Sequence, residues 1–387
     1  MQLTRDEEAI LAGEKGEGCR KAMELLVALG DIYGAKRLIP IASAHLSGVS
    51  YKTIAEGGIE FLEEMARDAR VCVPTTLNPA GMDRRRWEEM GIRPRFADRQ
   101  RHIIDCYERL GVTTDCSCTP YLGTNVPKRG QTLAWAESSA LSFANSVIGA
   151  RTNREGGPGA LAAAVVGRTP EYGLHLDENR APGVIVEVEV EDVDYSLLGQ
   201  AVGVLVGNRV PYFRGIRPTV DQLKTLAAAM AASGSVALFH VEGVTPEAAG
   251  ASLAGLEKVT VGRAELEEAR ERVTTGKDPE LVAFGCPHLS VAEIQQLARL
   301  LKGRKPRGDA EVWFCTSRHT LAQCPREAAE LERFGKLVCD TCMVVTPIEE
   351  RFKCTATNSG KACSYLATLC SQKVVYRDTP GMVELIS

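Results

Sequence analysis

No run of apolar residues in this chain approaches the ~18 needed to cross a bilayer. The opening residues, MQLTRDEEAILAGEKGEG, place acids where an export signal needs a basic start and an apolar stretch. The expectation is a cytoplasmic protein with no membrane as partner. Excess charge is missing as well. A net charge of −4 gives no general attraction to nucleic acid or to an anionic surface, so any anionic ligand must be held locally. Internal repeats, low-complexity linkers, a P-loop and a dinucleotide-binding fingerprint are all absent. What is present is ordinary for a globular protein: 44% hydrophobic and 25% charged residues over 387 positions, enough for two or three α/β units.

Strand-like and helix-like segments alternate, which predicts parallel or mixed sheets flanked by helices. RLIPIASA (37–44) reads as a strand, HLSGVS as a loop, and YKTIAEGGIEFLEEMARDA as an amphipathic helix interrupted by two glycines. RVCVPTTLNPAG repeats the strand and polar loop. Residues 133–148 read as an apolar helical stripe that runs into ARTNREGGP, with Glu137 and Ser138 inside the stripe. Polar groups that a core would not choose, set among small side chains, point to a ligand pocket. The stretch from about 185 to 265 reads as a partly exposed sheet without a chemical motif, and EVWFCTSR, HTLAQCPREAAELERFG and KLVCDTCMVV form a βαβ unit. Ligands of such sheets gather in loops at the carboxyl ends of strands. AHLSGVS, PTTLN, GCPHLS and DTCMVVTP fall there.

In SGVSYKT, Gly48 and Ser50 stand between a strand and a helix, where free backbone N–H groups and the helix dipole favour a phosphate or carboxylate. A simple N-cap serine behind a turn glycine fits the same residues. The thirteen cysteines do not suggest disulfides in a reducing compartment. Cys19, Cys72, Cys106, Cys315, Cys354 and Cys370 read as packing residues. Cys116 and Cys118 (DCSC), Cys286 (GCPH), and Cys339 and Cys342 (CDTC) lie in loops. Two pairs of thiolates would satisfy a zinc ion in a non-catalytic binding scaffold, a reading that leaves Cys286 unexplained. An iron–sulfur cluster drawing single cysteines from distant loops is the alternative, and three ligands would leave one iron open as a Lewis acid. Lys361 in TNSGKACS offers a positive charge for an anionic substrate.

SAHLSGVSY, VPTTLNP, CTPYLGTNVPKRG, AESSALSFANSVIGARTNREGGP, GCPH, DTC and TNSGK, in this order over nearly the whole chain, resemble the aconitase X family. The resemblance implies an aconitase-like α/β fold, three α/β domains around an iron–sulfur cluster, divided as 1–115, 116–265 and 266–387. It places cluster ligands at Cys118, Cys286 and Cys342, most simply on a [4Fe-4S] cluster. Substrate contacts fall on Gly48, Val49, Ser50, Asn78, Pro79, Glu137, Ser138 and Lys361. Glu137 and Ser138 are the expected catalytic residues, Glu137 protonating or orienting a leaving hydroxyl. Arg151, Asn153 and Arg154 are expected to support the pocket floor. Members of the family dehydrate cis-3-hydroxy-L-proline or mevalonate 5-phosphate. The small swivelling domain, whose serine acts as base, is not recognisable here, so the resemblance implies a two-chain enzyme with a separate small subunit. With a phosphate-suited loop at 48–50, it favours a phosphorylated hydroxy acid, (R)-5-phosphomevalonate, over hydroxyproline or another hydroxy acid.

Overall fold

A computed structural model describes all residues, Met1–Ser387, as three parallel sheets and one short antiparallel pair, with helices packed against them. In the first unit β1 (Leu38–Pro40) and β2 (Ser43–Leu46) follow one another, so RLIPIASA holds one strand and the start of a second. With β3 (Thr75–Leu77) and β4 (Leu133–Trp135), β2 forms a parallel sheet in the order β3-β2-β4. A separate antiparallel pair joins β1 to β5 (Arg168–Pro170). The second unit is the parallel sheet β8-β7-β6-β9, from β6 (Val184–Val188), β7 (Pro211–Arg214), β8 (His240–Val241) and β9 (Lys258–Val261). The third is β12-β11-β10-β13-β14, also parallel, from β10 (Leu281–Leu289), β11 (Glu311–Thr316), β12 (Lys336–Cys339), β13 (Cys354–Thr357) and β14 (Lys373–Tyr376). All nine residues of β10 are buried, as a central parallel strand covered on both faces requires.

Three expectations change. The division at 115 does not follow the sheets, because β4 pairs with β2 and β5 with β1, so the first unit extends past residue 170. Without linkers, nothing in the composition marked that boundary. Residues 133–148 are not one helix: β4 comes first, then a helix over Ser138–Phe143 that widens into a π turn over Ala144–Ile148. Three apolar residues fit either periodicity, and only pairing with β2 decides. Finally, the helix Tyr51–Met65 is interrupted at Ala55 (φ 50°), ahead of the two glycines.

One apolar cluster runs through all three units, from Trp135 through Phe213 and Phe239 to Trp313, while two others belong to the first and third units alone. No helix is long and apolar enough to cross a membrane.

Candidate active site

Three segments converge on one cleft of about 270 Å³, two of them loops and the third, against the expectation for Cys286, part of a strand. From the first unit, Ser117 N–H donates to Leu77 O at 2.9 Å, which hangs the Cys118 loop on the end of β3. From the third, Cys286 sits within β10 just after Gly285, whose φ of 92° and close approach to Cys315 O leave no room for a Cβ. Cys342 follows β12 in a loop that turns at Asp340 (φ 62°). All three cysteines line the cleft with Asn78, Pro79, Glu137, Ser138 and Lys361. Cys116 and Cys339 do not. Cys116 is buried in the first unit's core, and Cys339 ends β12 with its N–H donating to Asp83 Oδ2 at 2.9 Å.

Burial pushes all three thiols up, Cys118 to about 12, so without a metal they are neutral. No three or more His, Cys, Asp or Glu side chains converge on a single point, as a lone zinc ion would need. Three thiols spread around a cleft suit a multi-atom iron–sulfur cluster, and the Asn78 Oδ1 beside them is buried without a hydrogen-bond partner.

Glu137 is the N-cap of the Ser138–Phe143 helix, not a residue inside it. Its carboxylate accepts from Ala140 N at 2.6 Å, Ser139 Oγ at 2.7 Å and Ser138 Oγ at 3.3 Å, and it pairs with the Lys361 ammonium. Lys361 also donates to Ser139 Oγ at 3.1 Å. Both charges are buried, with 4% and 7% of their surface exposed. Burial pushes Glu137 up, but the Lys361 charge and these hydrogen bonds outweigh it and hold the carboxyl at about 2. Burial likewise works against the Lys361 charge, and Glu137 reverses it, raising the ammonium above its ordinary value. An ionised carboxylate with four donors around it is an orienting group and a poor proton donor.

The 48–50 loop is only partly at the cleft. Ser47 lines it, whereas Gly48 faces an adjoining apolar pocket with Ile54, Phe61 and Tyr107. Val49 and Ser50 are buried. Ser50 Oγ accepts from Lys52 N at 3.2 Å and donates to Val345 O at 2.8 Å, and Tyr51 N donates to Gln100 Oε1 at 3.0 Å, so the helix start is capped by the protein itself. The amides of Gly48, Val49 and Ser50 make no hydrogen bond within the chain and remain available. Arg151, Asn153 and Arg154 turn away from the cleft: they hold His175 O, Tyr172 O and Ala231 O. Sequence reasoning missed the apolar rim of Val344, Val345, Tyr365 and Leu369, which carries no chemical signature. It also passed over His288 of GCPH, which lies outside the cleft lining with its ring against Ser117 Oγ and Thr341 O.

Models of the aconitase X first, second and third domains match residues 1–178, 182–271 and 279–386, the spans of the three units. The chain belongs to the aconitase X family. An aconitase X protein implies an iron–sulfur cluster, which the buried thiols of the cleft fit. The phosphomevalonate dehydratase large subunit of Methanosarcina mazei is 51% identical over 97% of this chain and 94% of its own. The cis-3-hydroxy-L-proline dehydratase of Pseudomonas aeruginosa is 38% identical over 99% of this chain but 69% of its own. The crystal structure of Thermococcus kodakaraensis aconitase X in its holo form superposes with a TM-score of 0.93 at 45% identity, covering 100% of both chains.

Proposed function

We propose that this aconitase X chain is the cluster-bearing large subunit of a hydro-lyase that dehydrates (R)-5-phosphomevalonate to trans-anhydromevalonate 5-phosphate, in the mevalonate route to isoprenoids. The observation that carries the reading is the meeting of Cys118, Cys286 and Cys342 with Asn78 and the Glu137–Lys361 pair in one cleft. The full-length similarity to a relative named for that reaction selects the substrate.

The three cysteines would hold a [4Fe-4S] cluster with one iron lacking a protein ligand. Bound there, the cluster supplies a Lewis acid for the departing tertiary hydroxyl, with no net redox change. Lys361 has three N–H donors; Glu137 and Ser139 take two, and the third is left for the substrate carboxylate or hydroxyl. Glu137 fixes that ammonium in place. The Asn78 amide, whose oxygen lacks a partner, and the Ser138 hydroxyl complete the contacts, with Pro79 shaping the wall. The phosphate is assigned to the free amides of Gly48, Val49 and Ser50, reached past Ser47. A separate small subunit closes the cleft, excludes water and brings the serine that removes the proton alpha to the carboxylate.

The test is anaerobic purification with iron and sulfide quantification, then assay of the chain alone and with a candidate small subunit on (R)-5-phosphomevalonate and cis-3-hydroxy-L-proline. Turnover of the phosphorylated substrate by the pair supports the reading. Full turnover by the isolated chain removes the partner, and turnover of hydroxyproline alone removes the substrate.

A further inference from the structure

His288 lies two residues beyond Cys286 in β10 and is fully buried. Each of its four polar groups is taken up. Its backbone N–H donates to Cys118 Sγ at 3.2 Å. Its carbonyl accepts from Lys224 Nζ at 3.1 Å, a buried ammonium of the second unit that also pairs with Glu293. Ring Nε2 lies 2.9 Å from Thr341 O, next to Cys342. A carbonyl only accepts, so Nε2 carries the proton, and Nδ1 is left to accept from Ser117 Oγ at 3.1 Å, next to Cys118. Ser117 Oγ is oriented for this by accepting from Thr119 N at 3.2 Å.

A single residue thus spans the Cys118 and Cys342 loops with its ring, while its own strand carries Cys286 and its carbonyl is held by the second unit. His288 does not line the cleft, so it does not touch substrate there. We propose that His288 is a positioning residue that sets the spacing of the three cluster thiols and slows the escape of iron. This rests on the cluster reading above. Groups that orient metal ligands from behind typically change metal retention by ~10- to 100-fold when removed.

The test uses the iron-loaded protein, prepared anaerobically, and follows loss of the cluster's visible absorbance to an excess of iron chelator. His288→Asn keeps an acceptor near Nδ1 for Ser117 and loses the donor to Thr341; His288→Gln keeps a donor near Nε2 and loses the acceptor; His288→Ala loses both. We expect iron release from His288→Ala to be ~10- to 100-fold faster than from wild type, with Asn and Gln in between. Thermal unfolding of the iron-free proteins is measured in parallel. The KM for substrate should stay unchanged while kcat follows cluster content. If His288→Ala does not fold, the Asn and Gln variants decide. Release at the wild-type rate from the variants, or release that only tracks their iron-free unfolding temperatures, overturns the proposal. A wild-type protein that takes up no iron overturns the cluster reading instead, and this one with it.

Discussion

Replacing Lys361 by methionine keeps the length of the side chain and removes the charge, leaving Glu137 in a buried site with only hydroxyl and amide donors. In the intact pair the carboxyl sits at about 2 against an ordinary 4.5, which at ~1.4 kcal/mol per pH unit corresponds to about 3–4 kcal/mol of stability at neutral pH. Breaking one side of a buried pair costs about 3–5 kcal/mol by general experience, so the two routes agree. The sign with pH is equally definite. A depressed carboxyl stabilises the wild type above about pH 4.5, and that contribution is lost as pH falls toward 2. In Lys361→Met burial is no longer outweighed, Glu137 rises above its ordinary value, and stability is lost as pH rises through the new value. The deficit against wild type should therefore be largest near pH 8 and shrink toward pH 5. Urea unfolding followed by circular dichroism at both pH values measures it, and adding Glu137→Gln to Lys361→Met should recover most of the loss. A Lys361→Met protein within 1 kcal/mol of wild type at pH 8 (~a fifth of the larger figure), or a double variant no more stable than the single, would refute the reasoning.

Alanine at Cys118, Cys286 or Cys342 should abolish iron retention in anaerobically purified protein, while Cys116→Ala and Cys339→Ala keep it; iron lost equally from all five would point to paired thiolates instead. Ser50→Ala removes an N-cap and the link to Val345, so it should lower stability by about 1 kcal/mol and weaken phosphorylated ligands only modestly. Gly48→Val, at a φ of 80°, should weaken phosphomevalonate about tenfold or more by calorimetry and leave unphosphorylated mevalonate less affected. Equal losses for both ligands would remove the phosphate from that loop. Arg318→Met strips the cation that Asp83 and Asp340 share, at 2.5 and 2.8 Å, and should destabilise by about 2 kcal/mol or more in urea, with Arg84 holding part of Asp340.

The site was more legible in the sequence than the fold's divisions. Cysteines and a lysine carry their chemistry in their identity, and Cys118, Cys286, Cys342 and Lys361 do meet, although Cys286 lies in β10 and Lys361 in the first turn of a helix. Choosing Cys118 over Cys116 needed the family resemblance, since the two cysteines of C-x-C differ only in which way the backbone turns them. Glu137 looked like a polar intruder in a helix because β4 is too short to show alternation; its role as a cap depends on where pairing with β2 ends. The 48–50 loop announced a helix start, but not that Ser50 would spend its hydroxyl on Val345, a residue 295 positions away. His288 could not be read at all, because its meaning lies in four partners from three separate stretches.

The second unit lends no side chain to the cleft, yet it presses on the site from behind at two points: Lys224 on the His288 carbonyl, and Ser196 and Gln200 on the backbone of Gly360, next to Lys361. At both points the backstop acts on main-chain groups and not on a side chain that lines the cleft. Substrate preference within the family would then be written in the first and third units, and a chimera that exchanges residues 182–271 with a hydroxyproline-specific relative should change how firmly the metal is held before it changes what is dehydrated.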